Sequence, residues 1–102
     1  MEKDLSLTEL FDLYGGLLTE RQRELFSSYY VYDLSLAEIA EPEGKTRQNV
    51  YEQVKKVKQK LIEYEAVLHL KEKNDKLKAI ADNAGDMQAK QVGEKIKEII
   101  GV

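Results

Sequence analysis

Six apolar residues, Val50, Val54, Val57, Leu61, Tyr64 and Leu68, follow one another at intervals of 4, 3, 4, 3 and 4. That spacing keeps them on one side of an α-helix along its whole length. No strand reading survives it, because alternate-residue periodicity is absent across the stretch. The spacing predicts one helix from Thr46 to Leu70, about 37 Å long at the usual rise per residue. Such a seam has to be covered, either by the chain's own N-terminal helices or by a second copy in a homodimer.

The residues just before the seam predict how that helix is presented. Ser35 stands three residues before Glu38, the spacing at which each side chain satisfies a free N–H of the other. Leu36, Ile39 and Ala40 then supply a short apolar stripe. Pro42, the only proline among 102 residues, disfavours helical geometry at Glu41 and removes an N–H, so the helix is expected to be short. Gly44 suits a left-handed turn position, and Thr46 caps the long helix. A short helix, a tight turn and a second helix form the unit that sets a helix into a nucleic-acid groove.

Two helices are expected upstream. Ser6 and Glu9 have the capping-box spacing, followed by Leu10, Phe11, Leu13 and Tyr14, with Gly15-Gly16 as a helix stop. Thr19 and Gln22 repeat the cap before Leu25, Phe26, Tyr29, Tyr30 and Tyr32. The tyrosines could form a base-stacking platform, but half-buried rings with wet hydroxyls are the expected reading. Asp33-Leu34 is a short connection. Downstream, the polar run Lys71–Lys76 interrupts the seam, with a break near Asn74 or Asp75 or a solvated continuous helix. Leu77, Ile80, Ala81 and Ala84 predict a weak helix ending at Gly85. Asp86 can cap a last one carrying Ala89, Val92, Ile96, Ile99 and Ile100. The chain is thus expected to divide into a domain over 1–70 and a helical extension over 71–102.

Composition excludes several classes of function. No cysteine is present, which removes disulfides and thiolate metal sites. The single histidine, His69, lacks the partners a metal centre needs and reads as structural or surface. No cofactor loop, activated nucleophile or membrane-length apolar run is visible, so a non-enzymatic, cytoplasmic protein is expected.

The net charge of −3 hides a sharp asymmetry. Residues 1–44 carry three Lys/Arg against ten Asp/Glu, whereas residues 45–60 carry six against one. The basic excess lies on the predicted long helix, a local electrostatic footprint on an acidic body. With Val50, Val54 and Val57 inward, a step of about 100° per residue turns Gln48, Glu52, Lys55 and Gln59 outward. Tyr51 and Lys56 flank them, and Arg47 projects from the first turn. Gln48 could meet an adenine edge, and Arg47 a guanine or a phosphate. Lys55, Lys56 and Lys58 would neutralise phosphates, and Thr46 with the free N–H groups of the first turn could also reach one. Glu52, central on this face, argues against tight binding.

The segments L-Y-G-G-L-L-T-E-R-Q-R, Y-Y-V-Y-D-L-S-L-A-E-I-A, T-R-Q-N-V-Y and L-I-E-Y-E-A-V-L-H-L resemble the YlxM-type helix-turn-helix proteins over roughly residues 5–70. The S-L-A-E-I-A…T-R-Q-N-V core is also similar, more broadly, to the promoter-reading domain of sigma factors. The resemblance implies an all-α, sigma-factor-like helix-turn-helix bundle with one long helix and a helical C-terminal extension. It also implies a regulatory role linked to the signal recognition particle. The chain departs from such motifs at the turn, where Glu43 and Lys45 stand in place of apolar anchors and are expected to alter how the two helices cross. Two readings follow. One is a regulator binding DNA, or structured RNA, through residues 45–58. The other is a non-catalytic interaction module that dimerises through the long helix and binds a protein, such as a signal recognition particle component.

Overall fold

The computed structural model describes residues 5–83 and 89–101, and among these no strand occurs. The helices are α1 (Leu5–Tyr14), α2 (Glu20–Phe26), α3 (Leu36–Ala40), α4 (Arg47–Leu68), α5 (Leu70–Asn83) and α6 (Ala89–Ile100). This is an all-α, helix-turn-helix architecture with one long helix. The chain divides into two compact units, Met1–Val67 and Leu68–Val102.

In the first unit the seam lines the core. Val50, Val54 and Leu61 are fully buried and Val57 nearly so. They join Leu7, Leu10, Tyr14 and Leu18 from the N-terminal segment, Leu25 and Phe26 from α2, and Ile39 and Ala40 from α3. Over Val50–Leu61, then, the seam is covered by the chain's own helices and offers nothing to a second copy. Tyr64 packs at the edge of this core, while Leu68 is 44% exposed and lies outside it. Tyr14 donates a 2.6 Å hydrogen bond from its hydroxyl to Glu65 Oε1, fastening α1 to the last turns of α4.

The aromatic residues sort by depth. Phe26 lies between Phe11 (centroids 4.4 Å) and Tyr30 (4.6 Å, stacked), with Tyr29 edge-on to Tyr30. Tyr29 and Tyr30 are buried, whereas Tyr32 is 72% exposed. The two buried tyrosines sit on a π-helical turn over Ser27–Val31. Its wider turn shifts the helical register by one residue, and Tyr29 and Tyr30 both lie on its buried side. Asp33 then takes φ 60°, a left-handed conformation that short polar residues tolerate.

Several local expectations need correction. The first described residue, Leu5, is already helical, so Ser6 lies inside α1 and does not open it. The stop expected at Gly15-Gly16 is where α1 ends, and the chain runs on as a 3₁₀ turn over Gly15–Leu17. Pro42 does shorten α3, but Glu41 stays right-handed (φ −58°, ψ −51°) and the chain runs on as a 3₁₀ turn over Glu41–Glu43. The long helix ends at Leu68, two residues early, because His69 takes φ 55°. His69 then opens α5, its carbonyl accepting from the N–H of Lys73 at 3.0 Å. No break occurs at Asn74 or Asp75. The run Lys71–Lys76 is helical, and Lys71–Asp75 (2.7 Å) and Lys76–Glu72 (3.1 Å) form ion pairs at i,i+4 spacing along it.

In the second unit α5 packs against α6. Ile80 is its one buried hydrophobic among the described residues, with Leu77, Val92, Ile96 and Ile99 half-buried. The expectations for Ala84, Gly85 and Asp86 fall outside the described residues.

Candidate nucleic-acid interface

The interface is built from the turn upward. Ser35 and Glu38 form the complete capping box, Glu38 N–H donating to Ser35 Oγ at 3.0 Å and Ser35 N–H to Glu38 Oε1 at 3.1 Å. At the other end of this segment Gly44 adopts φ 65°, ψ 27°. Lys45 N–H reaches back to the Ala40 carbonyl and Gly44 N–H to that of Glu41, each at 3.1 Å. This nested pair with a left-handed glycine is the Schellman arrangement, and it satisfies carbonyls that the helix end would otherwise leave free. A non-glycine residue at position 44 would have to bear that left-handed strain.

The apolar packing that usually accompanies such a turn is replaced by charge. Arg21, near the start of α2, grips both oxygens of Glu43, with Nη1–Oε1 at 2.5 Å and Nη2–Oε2 at 2.6 Å. Lys45 stands 3.6 Å from the same carboxylate. The Arg21 hydrogen bond outweighs the opposing desolvation and, with attraction to Arg21 and Lys45, holds the Glu43 carboxyl below its ordinary range. Of the two polar residues that the sequence marks as a departure, Glu43 therefore ties the turn to α2, with Lys45 beside its carboxylate.

Thr46 caps α4, its Oγ1 accepting from Asn49 N–H at 3.0 Å. Beyond the cap, Arg47, Gln48, Asn49, Glu52, Lys55 and Lys56 are exposed, and Tyr51, Gln53 and Lys58 are half-buried. Arg47, Lys55, Lys56 and Lys58 have no ion-pair partner among the described residues. Lys55 and Lys56 project on either side of the ridge that Gln48, Glu52 and Gln59 make opposite the buried valines. Along this surface run two side-chain hydrogen bonds, Gln48 Nε2 to Glu52 Oε1 at 2.9 Å and Gln53 Nε2 to Asn49 Oδ1 at 2.6 Å.

Two of these features escape sequence reasoning. Arg21 and Glu43 are 22 residues apart, and nothing in local spacing pairs them. Gln48 and Glu52 do stand at i,i+4 spacing, yet a reading by charge alone sees in Glu52 only a repulsive group.

Short α3, a closed turn and an exposed, capped α4 define a helix-turn-helix protein. A family model described as "Putative helix-turn-helix protein, YlxM / p13 like" (UPF0122) matches residues 1–99. A "Probable UPF0122 protein" of Mycoplasma mycoides is 37% identical over 102 residues, covering 98% of this chain and 90% of that protein. A UPF0122 protein of Halalkalibacterium halodurans is 42% identical over 91 residues, covering 89% and 84%. One from Clostridium kluyveri is 49% identical over 72 residues, covering 71% and 65%. The chain belongs to the UPF0122 family. None of its helices, among the described residues, is long and apolar enough to cross a membrane.

Proposed function

We propose that this chain is a nucleic-acid-binding regulatory protein that lays the first turns of α4 into the major groove of DNA. The observation that carries this reading is the set of unpaired cations on α4, Lys55 and Lys56 on the face away from the buried valines and Arg47 and Lys58 at its edge. A cation already matched within the chain gains little from a phosphate, whereas an unmatched one releases the phosphate's counterion on binding. The lysines anchor on the backbone, while Arg47, Gln48 and Tyr51 lie nearer the helix start, where groove-reading helices meet base edges. Thr46 Oγ1 is occupied by its cap, but its hydroxyl can still donate to a phosphate.

Structured RNA is the competing target. A component of the signal recognition particle is the protein partner that the family resemblance carries, and it is proposed on that resemblance alone. A homodimer would need a surface other than Val50–Leu61, which the chain's own core occupies. A cytoplasmic site of action fits these partners.

The test is recovery of nucleic acid on the tagged protein from labelled random duplex DNA and a structured RNA pool, with mass spectrometry of the same eluate. Duplex DNA is expected to be retained by the wild type and largely lost by the Lys55→Ala/Lys56→Ala variant. Equal retention by the two proteins would overturn the reading.

A further inference from the structure

We infer that Glu52 is the base-discriminating residue of α4. Held by Gln48, it accepts a hydrogen bond from the N4 amino group of a cytosine in the major groove of duplex DNA. This deepens the proposed function and rests on it.

Glu52 is exposed in the second turn of α4, on the ridge between Lys55 and Lys56. A carboxylate there repels any phosphate it faces, so a docking register that sets it against the backbone is disfavoured. The compatible register points it at a base edge. An ionised carboxylate only accepts hydrogen bonds, and major-groove edges donate only through cytosine N4 and adenine N6. Guanine O6 and N7 and thymine O4 present acceptors alone, and the carboxylate rejects them.

The 2.9 Å bond from Gln48 Nε2 to Glu52 Oε1 sharpens this choice. It fixes the Gln48 amide, because its nitrogen must turn toward an acceptor-only partner. It also leaves Glu52 Oε2 and the Gln48 carbonyl as acceptors, with one amide N–H as donor. The pair is therefore richer in acceptors than donors and favours base edges that carry an amino group. Glutamate to cytosine is the pairing that such geometry supports in a groove, whereas adenine is better served by an amide that accepts and donates at once. A-form RNA presents a deep, narrow major groove that side chains cannot read, so duplex DNA is the substrate this arrangement fits.

The experiment is selection from a randomised duplex DNA library by the wild-type chain, Glu52→Gln and Glu52→Ala, with a structured RNA library in parallel. Position 52 is exposed, and thermal unfolding of both variants confirms that they are folded. The wild type is expected to enrich cytosine at one position, with about tenfold discrimination or more over the other bases. Glu52→Gln should move that preference to adenine. Glu52→Ala should leave the position uninformative, and both variants should bind the unselected pool more tightly. A wild type that enriches sites identical to those of Glu52→Gln overturns the assignment while leaving groove binding by α4 intact. A wild type that retains no duplex DNA, or enriches only RNA, overturns both.

Discussion

The two units of this chain are made from similar amphipathic helices and differ in what those helices bury. Up to Val67, fourteen hydrophobic side chains form one core, with stacked aromatics and the four seam residues at its centre. From Leu68 onward only Ile80 is buried among the described residues, and Ile99 is half-buried beside it. A helical period states which face wants to be covered and does not supply the cover. In the first unit α1, α2 and α3 provide it with large side chains. In the second, two helices shield each other along a single line and leave their outer flanks wet, the arrangement that yields marginal stability.

Substitutions can break or sharpen that contrast. Leu61→Ala should have the largest effect, about 4 kcal/mol of lost stability, because a close-packed site relaxes little around the cavity. Ile80→Ala should cost about 2 kcal/mol at most, since a loosely surrounded site collapses and only the transfer term remains. Its effect should fall on hydrogen-exchange protection of α5 and α6, leaving α4 before Val67 unchanged. Equal losses from the two substitutions in chemical denaturation would erase the distinction. Tyr14→Phe removes the hydroxyl that bonds Glu65 and should cost about 1 kcal/mol with the fold intact.

The smallest effect concerns the Arg21–Glu43 fork and depends on pH. Glu43 has its folded-state carboxyl held below the ordinary value of 4.5. Its contribution is therefore present above that value and disappears as pH falls through the lowered one. Glu43→Gln should melt slightly below the wild type at pH 7, and the two curves should converge in acid. A difference that persists unchanged at pH 2 would show that packing, not charge, ties the turn to α2.

What the sequence reveals follows from the range of each interaction. The caps at Thr19 and Ser35, the left-handed Gly44 and the Val50–Leu61 seam are set by residues within one or two turns of each other, and the periodicity shows them directly. The π-helical turn over Ser27–Val31 is hidden, because consecutive apolar residues such as Tyr29 and Tyr30 also occur on regular helices and carry no mark of a wider turn. The end of α4 is misplaced by the periodicity for a related reason. Helical spacing continues through Leu68 to Leu70, and histidine carries no glycine-like mark of a left-handed position, although it adopts one more readily than most residues. At the candidate interface, the exposed residues are legible from the 100° step, but the fork from Arg21 depends on how α2 packs and is not.

The central claim is that the unpaired cations of α4 bind a polyanion. Its most direct test is the slope of log affinity against log salt concentration for duplex DNA, measured for the wild type and for Lys55→Ala/Lys56→Ala. Every phosphate left without its cation flattens the slope by about 0.9, so removing two lysines should flatten it by about 1.8 and weaken binding across all sequences. Parallel lines for the two proteins would contradict the account, since Lys55 and Lys56 would then touch no phosphate.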